Sequence, residues 1–94
     1  MKIKNVFSEK KDVQTQVLRT VEEGKVIALQ IDKNKILKKH VSNVPAILFC
    51  LSGKAIYKEK DRAIKLKKGR FVPIEPNVLH EVQALKKSNF ILIK

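Results

Sequence analysis

Residues 40–53 read HVSNVPAILFCLSG, and residues 69–80 read GRFVPIEPNVLH. Together they hold the only two histidines of the chain, His40 thirteen residues before Gly53 and His80 eleven residues after Gly69. In the first stretch Ser42-Asn43-Val44-Pro45 is turn chemistry, and Ala46 to Leu51 is an apolar run stopped by Ser52-Gly53. That pattern reads as a buried strand between two breaks. In the second, Phe71 to Ile74 follows the turn Lys67-Lys68-Gly69, and Pro73 and Pro76 flank Glu75 before His80. Two imidazoles in equivalent places of two hairpin-like halves point to one shared site.

Short strands continue outward on both sides. Val13 to Val21 and Val26 to Ile31 are joined by Glu22-Glu23-Gly24-Lys25, which gives an N-terminal ribbon. Ile36-Leu37 leads into His40, and Ala55 to Lys58 returns as Ala63 to Leu66 around the turn Glu59-Lys60-Asp61-Arg62. Leu79 to Leu85 and Phe90 to Ile93 close the series around Lys86-Lys87-Ser88-Asn89. Residues 8–23 hold the one competing pattern, because Ser8 followed by acidic residues has the form of a helix cap. Nine or so short strands in 94 residues, with no low-complexity tract, predict a single all-β domain over residues 1–94. A closed or nearly closed antiparallel barrel or sandwich is the expected architecture.

From Leu37 to Ile93 the chain resembles a small single-domain cupin, an antiparallel jelly-roll β-barrel. With Gly53 fixing the register, His40 falls where the first histidine of that family's first motif stands, Ser42 where the second stands and Ala46 where its glutamate stands. Gly69 and His80 match the spacing of the second motif, and Asn77-Val78-Leu79-His80 is similar to the turn that presents its histidine. The resemblance implies a site in which three histidines and a carboxylate hold a divalent transition metal. Here Ser42 and Ala46 supply neither an imidazole nor a carboxylate, so His40 and His80 would be half of such a set. A transition-metal site usually takes three or four protein ligands.

Alternation along the strands places Ala46, Leu48 and Cys50 on the inside with His40, and Val78, His80, Val82 and Ala84 on the inside of the other half. The expected site is therefore a mainly apolar cavity with ligand-binding candidates His40, His80, Cys50, Leu48 and Glu75. Cys50 is the one nearby thiolate able to replace a missing ligand, and Glu75, in its proline-flanked loop, is the one carboxylate placed at the mouth. No residue is assigned a catalytic role. Binding of a small anionic or hydroxylated molecule without a cofactor is the first reading. The alternative is a metal-dependent enzyme of dioxygenase or isomerase type, with His40 and His80 as part of its ligand set.

The net charge of +12 is concentrated in residues 32–70, which carry twelve basic and three acidic groups. Lys65 and Lys67 alternate with Ile64 and Leu66, as on the solvent face of a half-buried strand. Arginine occurs only as Arg19, Arg62 and Arg70, and Tyr57 is the one nearby ring with a polar tip. A solvated lysine-rich surface is therefore the expected reading and nucleic acid is not the expected partner, since forked guanidinium groups and stacking rings are scarce; binding of an anionic partner by the Lys33 to Arg70 region is the alternative. No apolar run is long enough to cross a bilayer, and the N-terminus lacks the continuous apolar stretch of an export signal. With one cysteine, read as a small buried hydrophobe, the expected location is the cytoplasm. Ile47, Phe49 and Leu51 make the strand after Pro45 apolar on its outer side too. A homodimer packed through that face, as the resemblance to small cupins implies, is the expected cover, the alternative being Val17, Val26 and their neighbours in the same chain.

Overall fold

The computed structural model describes residues 7, 11–21 and 24–94, with the side chains of Val21 and His40 left outside the description. Nine strands follow one another: β1 (Val13–Val21), β2 (Gly24–Ile31), β3 (Ile36–His40), β4 (Ala46–Ser52), β5 (Lys54–Glu59), β6 (Arg62–Lys67), β7 (Phe71–Ile74), β8 (His80–Ala84) and β9 (Ser88–Ile93). Residues 13–21 are strand, as the ribbon reading requires; the Ser8 cap and the Glu22-Glu23 turn lie outside the described residues. Among the described residues no helix is long and apolar enough to cross a membrane.

The strands form two antiparallel sheets, one in the order β1-β2-β9-β4-β7 and the other β3-β8-β5-β6. Only β1–β2 and β5–β6 are pairs of consecutive strands; β9 inserts between β2 and β4, and β8 between β3 and β5. No ladder joins the sheets among the described strands, so the all-β expectation holds as two facing sheets rather than a closed barrel. The exposed edges are protected by composition. Edge strand β6 carries Lys65 and Lys67, and edge strand β7 carries Pro73, which has no N–H to offer a further strand.

Alternation decides what lies between the sheets. Ala46, Leu48 and Cys50 of β4, Val82 and Ala84 of β8, and Val72 and Ile74 of β7 turn inward and meet Ala55 and Tyr57 of β5, Leu66 of β6 and Phe90 of β9. Tyr57 and Phe90 are fully buried and are the largest such side chains, so each contributes about 1.5–3 kcal/mol by leaving water. Strand β2 is buried on both faces from Ile27 to Ile31. Its outward Gln30 is accommodated by an amide ladder across four strands. Gln14 Nε2 donates to Gln30 Oε1 at 3.3 Å, Gln30 Nε2 to Asn89 Oδ1 at 2.9 Å, and Asn89 Nδ2 to Ser52 Oγ at 3.1 Å. Buried amides tolerated only when bonded in this way help fix the register of the sheet.

Candidate functional site

The site forms where β5 ends and β8 begins. Glu59 is the cross-strand partner of His80, and His80 is also the backbone partner of His40 at the end of β3. The two histidine positions therefore meet at one end of the second sheet, while the His40 side chain lies outside the described residues. Asn77, with φ of 64°, turns the chain into β8, and its N–H donates to Ser42 O at 2.7 Å, tying the 42–44 loop to the loop before His80. Asparagine is among the few residues that accept this left-handed backbone. His80 is only 5% exposed. Its Nδ1 lies 2.9 Å from Val78 O, and because a carbonyl can only accept, Nδ1 is the donor in this contact.

Inward-facing Tyr57 and Glu59 complete the group. The Tyr57 ring stacks on His80 with centroids 5.7 Å apart and planes at 28°. Its hydroxyl donates to Glu59 Oε1 at 2.6 Å. Arg62, facing Glu59 across the β5–β6 hairpin, donates from Nε to Glu59 Oε2 at 2.7 Å and from Nη2 to Glu59 Oε1 at 2.9 Å. Its Nη2 also lies 3.3 Å from Pro73 O, which links this corner to the first sheet, and its guanidinium sits 5.9 Å from the Tyr57 centroid. Such a forked pair fixes direction as well as charge.

The electrostatics follow from those contacts. The Arg62 hydrogen bonds, then that of Tyr57 and the charges of Arg62 and His80, hold the Glu59 carboxyl at about 2 against an ordinary 4.5, despite opposing burial. Burial and the neighbouring Glu59 push the Tyr57 hydroxyl well above the usual phenol range. Because the folded carboxyl has the lower affinity for protons, its contribution is complete above about pH 4.5 and is lost as pH falls toward about 2. The expected result is a wild-type protein that loses about 1–2 kcal/mol more than Glu59→Gln over that window. Urea unfolding across an acid pH series measures it, and parallel curves for the two proteins would refute the assignment.

A recess of about 610 Å³ opens beside this group, with Val78 and Leu79 as an apolar wall and Lys39, Lys58, Lys60, Glu59, Asp61 and Glu81 around His80. Of the residues expected at the site, His80 lines it, His40 is the backbone partner of His80, and Leu48, Cys50 and Glu75 lie elsewhere. Leu48 and Cys50 belong to the packed core. Cys50 is four residues beyond Ala46 on β4, about 13 Å along the strand. Its Sγ lies 3.4 Å from Ser52 O, and burial pushes the thiol up, so a thiolate is disfavoured there. Glu75 is exposed and borders a separate hollow of about 340 Å³ beside Pro45, Ala46 and Pro73. Ser42 serves its loop, its Oγ accepting from Val44 N at 3.4 Å. The structure adds Tyr57, Glu59 and Arg62, which the sequence reading did not place at the site; the alternation Ala55, Tyr57, Glu59 along β5 was the signal for two of them.

No protein-family model and no curated protein matches the chain. Solved structures do. It is similar to a cupin superfamily protein from Desulfitobacterium hafniense, at a TM-score of 0.88 and 11% identity over 98% of this chain and 84% of that one. A cupin-like protein from Thermotoga maritima matches with a TM-score of 0.81 and 29% identity, over 87% of this chain and 67% of that one. An RmlC-like cupin family protein with a double-stranded β-helix fold, from Methanocaldococcus jannaschii, matches at 0.78 and 20% identity, over 94% and 84%. These likenesses carry the architecture; the chemistry is read from this chain's own side chains.

Proposed function

We propose that this chain, a small cupin-type domain by its fold, binds a small anionic or hydroxylated molecule in the recess beside His80, without a catalytic metal. The observation that carries this reading is the commitment of Glu59, whose two oxygens are taken by Tyr57 and Arg62 next to a buried imidazole. A metal is what the fold family implies at this end, and the described donors do not fit one. Ala46 offers no donor atom, Ser42 is turned to its loop, Cys50 lies at the far end of β4, and the carboxylate is already neutralised by a guanidinium. Among the described residues no group of three or more His, Cys, Asp or Glu is arranged for a metal ion. What remains is a binding wall: Val78 and Leu79 for carbon, His80 for a hydroxyl or carboxylate, and Lys39, Lys58 and Lys60 for negative charge.

The alternative, a metal-dependent enzyme using His40 and His80, is favoured by the pairing of their backbone positions. We also propose that two copies pair through the outer face of the first sheet. That face carries Ile47, Phe49, Ile91 and Ile93 with Phe71, which is 54% exposed and packs on Phe49 with the rings tilted at 35° and centroids 5.3 Å apart. One set of samples tests both readings. Protein purified without chelator and titrated with gluconate should show saturable shifts of the His80 ring resonances, weakened by about tenfold or more in Lys58→Gln. It should sediment at about twice the chain mass of 10.8 kDa. A stoichiometric transition metal that is lost in the His40→Ala, His80→Ala double variant would overturn the metal-free reading.

A further inference from the structure

Six cations scattered in the sequence are gathered by the fold at the end opposite His80, apart from Lys39, Lys58 and Lys60 at the recess. Three connections meet there: Ser52 to Lys54 between β4 and β5, Lys67 to Arg70 between β6 and β7, and Leu85 to Ser88 between β8 and β9. They are bound into one surface by backbone. Leu85 N donates to Lys54 O at 2.8 Å, Gly69 N to Cys50 O at 2.9 Å and Cys50 N to Arg70 O at 2.8 Å. Ser88 Oγ clamps two of the connections, donating between Lys54 O at 3.1 Å and Lys86 O at 2.7 Å. Lys54, Lys67, Lys68, Arg70, Lys86 and Lys87 are all exposed on this surface, and its three segments contain no acidic residue. The β2–β3 turn, bonded to Ala84 through Asn34 and Lys35, adds Lys33 and Lys35; Asp12 lies 3.8 Å from Lys35 Nζ, and Asp32 accepts from the backbone N–H of Lys33. Glu59, Asp61, Glu75 and Glu81, the other acidic side chains among the described residues, lie toward the His80 end.

We propose that this basic end docks on the phosphodiester backbone of a double-stranded nucleic acid, without reading its sequence. The composition of the surface selects that partner. A protein partner needs a buried apolar or aromatic centre, and single-strand binding needs rings for bases to stack on; the three segments contain no aromatic residue. Point charges on lysine stems suffice for a duplex, whose phosphates present one charge per about 1.7 Å of axis and release counterions when neutralised. The scarcity of arginine and rings argues against base readout and leaves backbone contact intact. The Ser88-clamped loops hold their cations close together before the encounter, and a cluster free of acidic side chains attracts the phosphates as the molecule approaches.

Fluorescence anisotropy of a labelled 20-base-pair DNA duplex, titrated with the full chain between about 50 and 200 mM salt, tests this. The wild type should bind with a log–log salt slope of about −3 to −5. Lys68→Gln, Lys86→Gln, Lys87→Gln, all on exposed loops, should weaken binding by about tenfold or more and flatten the slope by about 2–3. A second triple variant, Arg19→Gln, Lys25→Gln, Lys94→Gln, removes the same charge elsewhere and should change affinity by less than about threefold. Equal losses in both variants would show a diffuse effect of net charge and overturn the proposal. So would tighter binding to phosphatidylserine-containing vesicles than to the duplex.

Discussion

Gly53→Ala is expected to cost about 4 kcal/mol, a large share of the roughly 5–14 kcal/mol that a domain of this size has. Gly53 sits at φ of 92°, where a side chain is strained by about 1–3 kcal/mol. The added Cβ would also lie inside contact distance of Ser88 Oγ, 2.5 Å from Lys87 O and 2.7 Å from Ser88 Cα. Two of those atoms are backbone, so relief requires moving the start of β9, a central strand of the first sheet. Ser88 is itself fully buried and holds Lys54 O and Lys86 O. Gly69 provides the control. Its φ is 86°, yet a methyl group there would meet nothing within 4 Å, so Gly69→Ala should cost only the backbone strain, about 1 kcal/mol. Urea midpoints of the two variants separate the contributions, and equal losses would show that the close approach to Ser88 carries no energy.

The same two glycines were what made the fold legible. Gly53 ends an apolar run and Gly69 follows the Lys67-Lys68 turn, each where the chain has to reverse, and period-2 alternation in the flanking strands gave the inward sets Ala46, Leu48, Cys50 and His80, Val82, Ala84, all of which are buried. Alternation is local, so it could not say which strands pair. The insertion of β9 between β2 and β4 is a contact across most of the chain, decided by which apolar faces must cover each other. The site was half legible for a related reason. Glu59-Lys60-Asp61-Arg62 looks like four turn residues because all four are charged, whereas the reversal uses only Lys60 and Asp61. Glu59 and Arg62 are the last strand pair, and their charges are tolerable at the end of a core because each neutralises the other. Val78 shows the opposite error: β8 begins only at His80, so the inward alternation does not reach back to Val78, which is half-buried at the recess rather than inside.

Tyr57→Ala should destabilise by about 3–5 kcal/mol, the range for deleting a buried aromatic ring. Tyr57 joins the core to the site: its ring is buried in the cluster that holds Val82, Leu66 and Ala55, and its hydroxyl ends on Glu59. Truncation therefore empties the space beneath His80 and removes one of the two groups that hold the carboxylate. Tyr57→Phe keeps the ring and deletes only the hydroxyl, at an expected cost of about 1–2 kcal/mol. The two variants should also differ from each other in a way that packing alone does not produce. In Tyr57→Phe the Glu59 carboxyl loses a hydrogen bond to its charged form, so its pKa should rise from about 2 toward 4.5 while Arg62 still restrains it. Carbon-13 titration of the Glu59 side chain reads that shift directly. If the Glu59 titration is unchanged in Tyr57→Phe while stability falls, the hydroxyl acts only on the core, and Tyr57 is a structural pillar with no part in setting the charge beside His80.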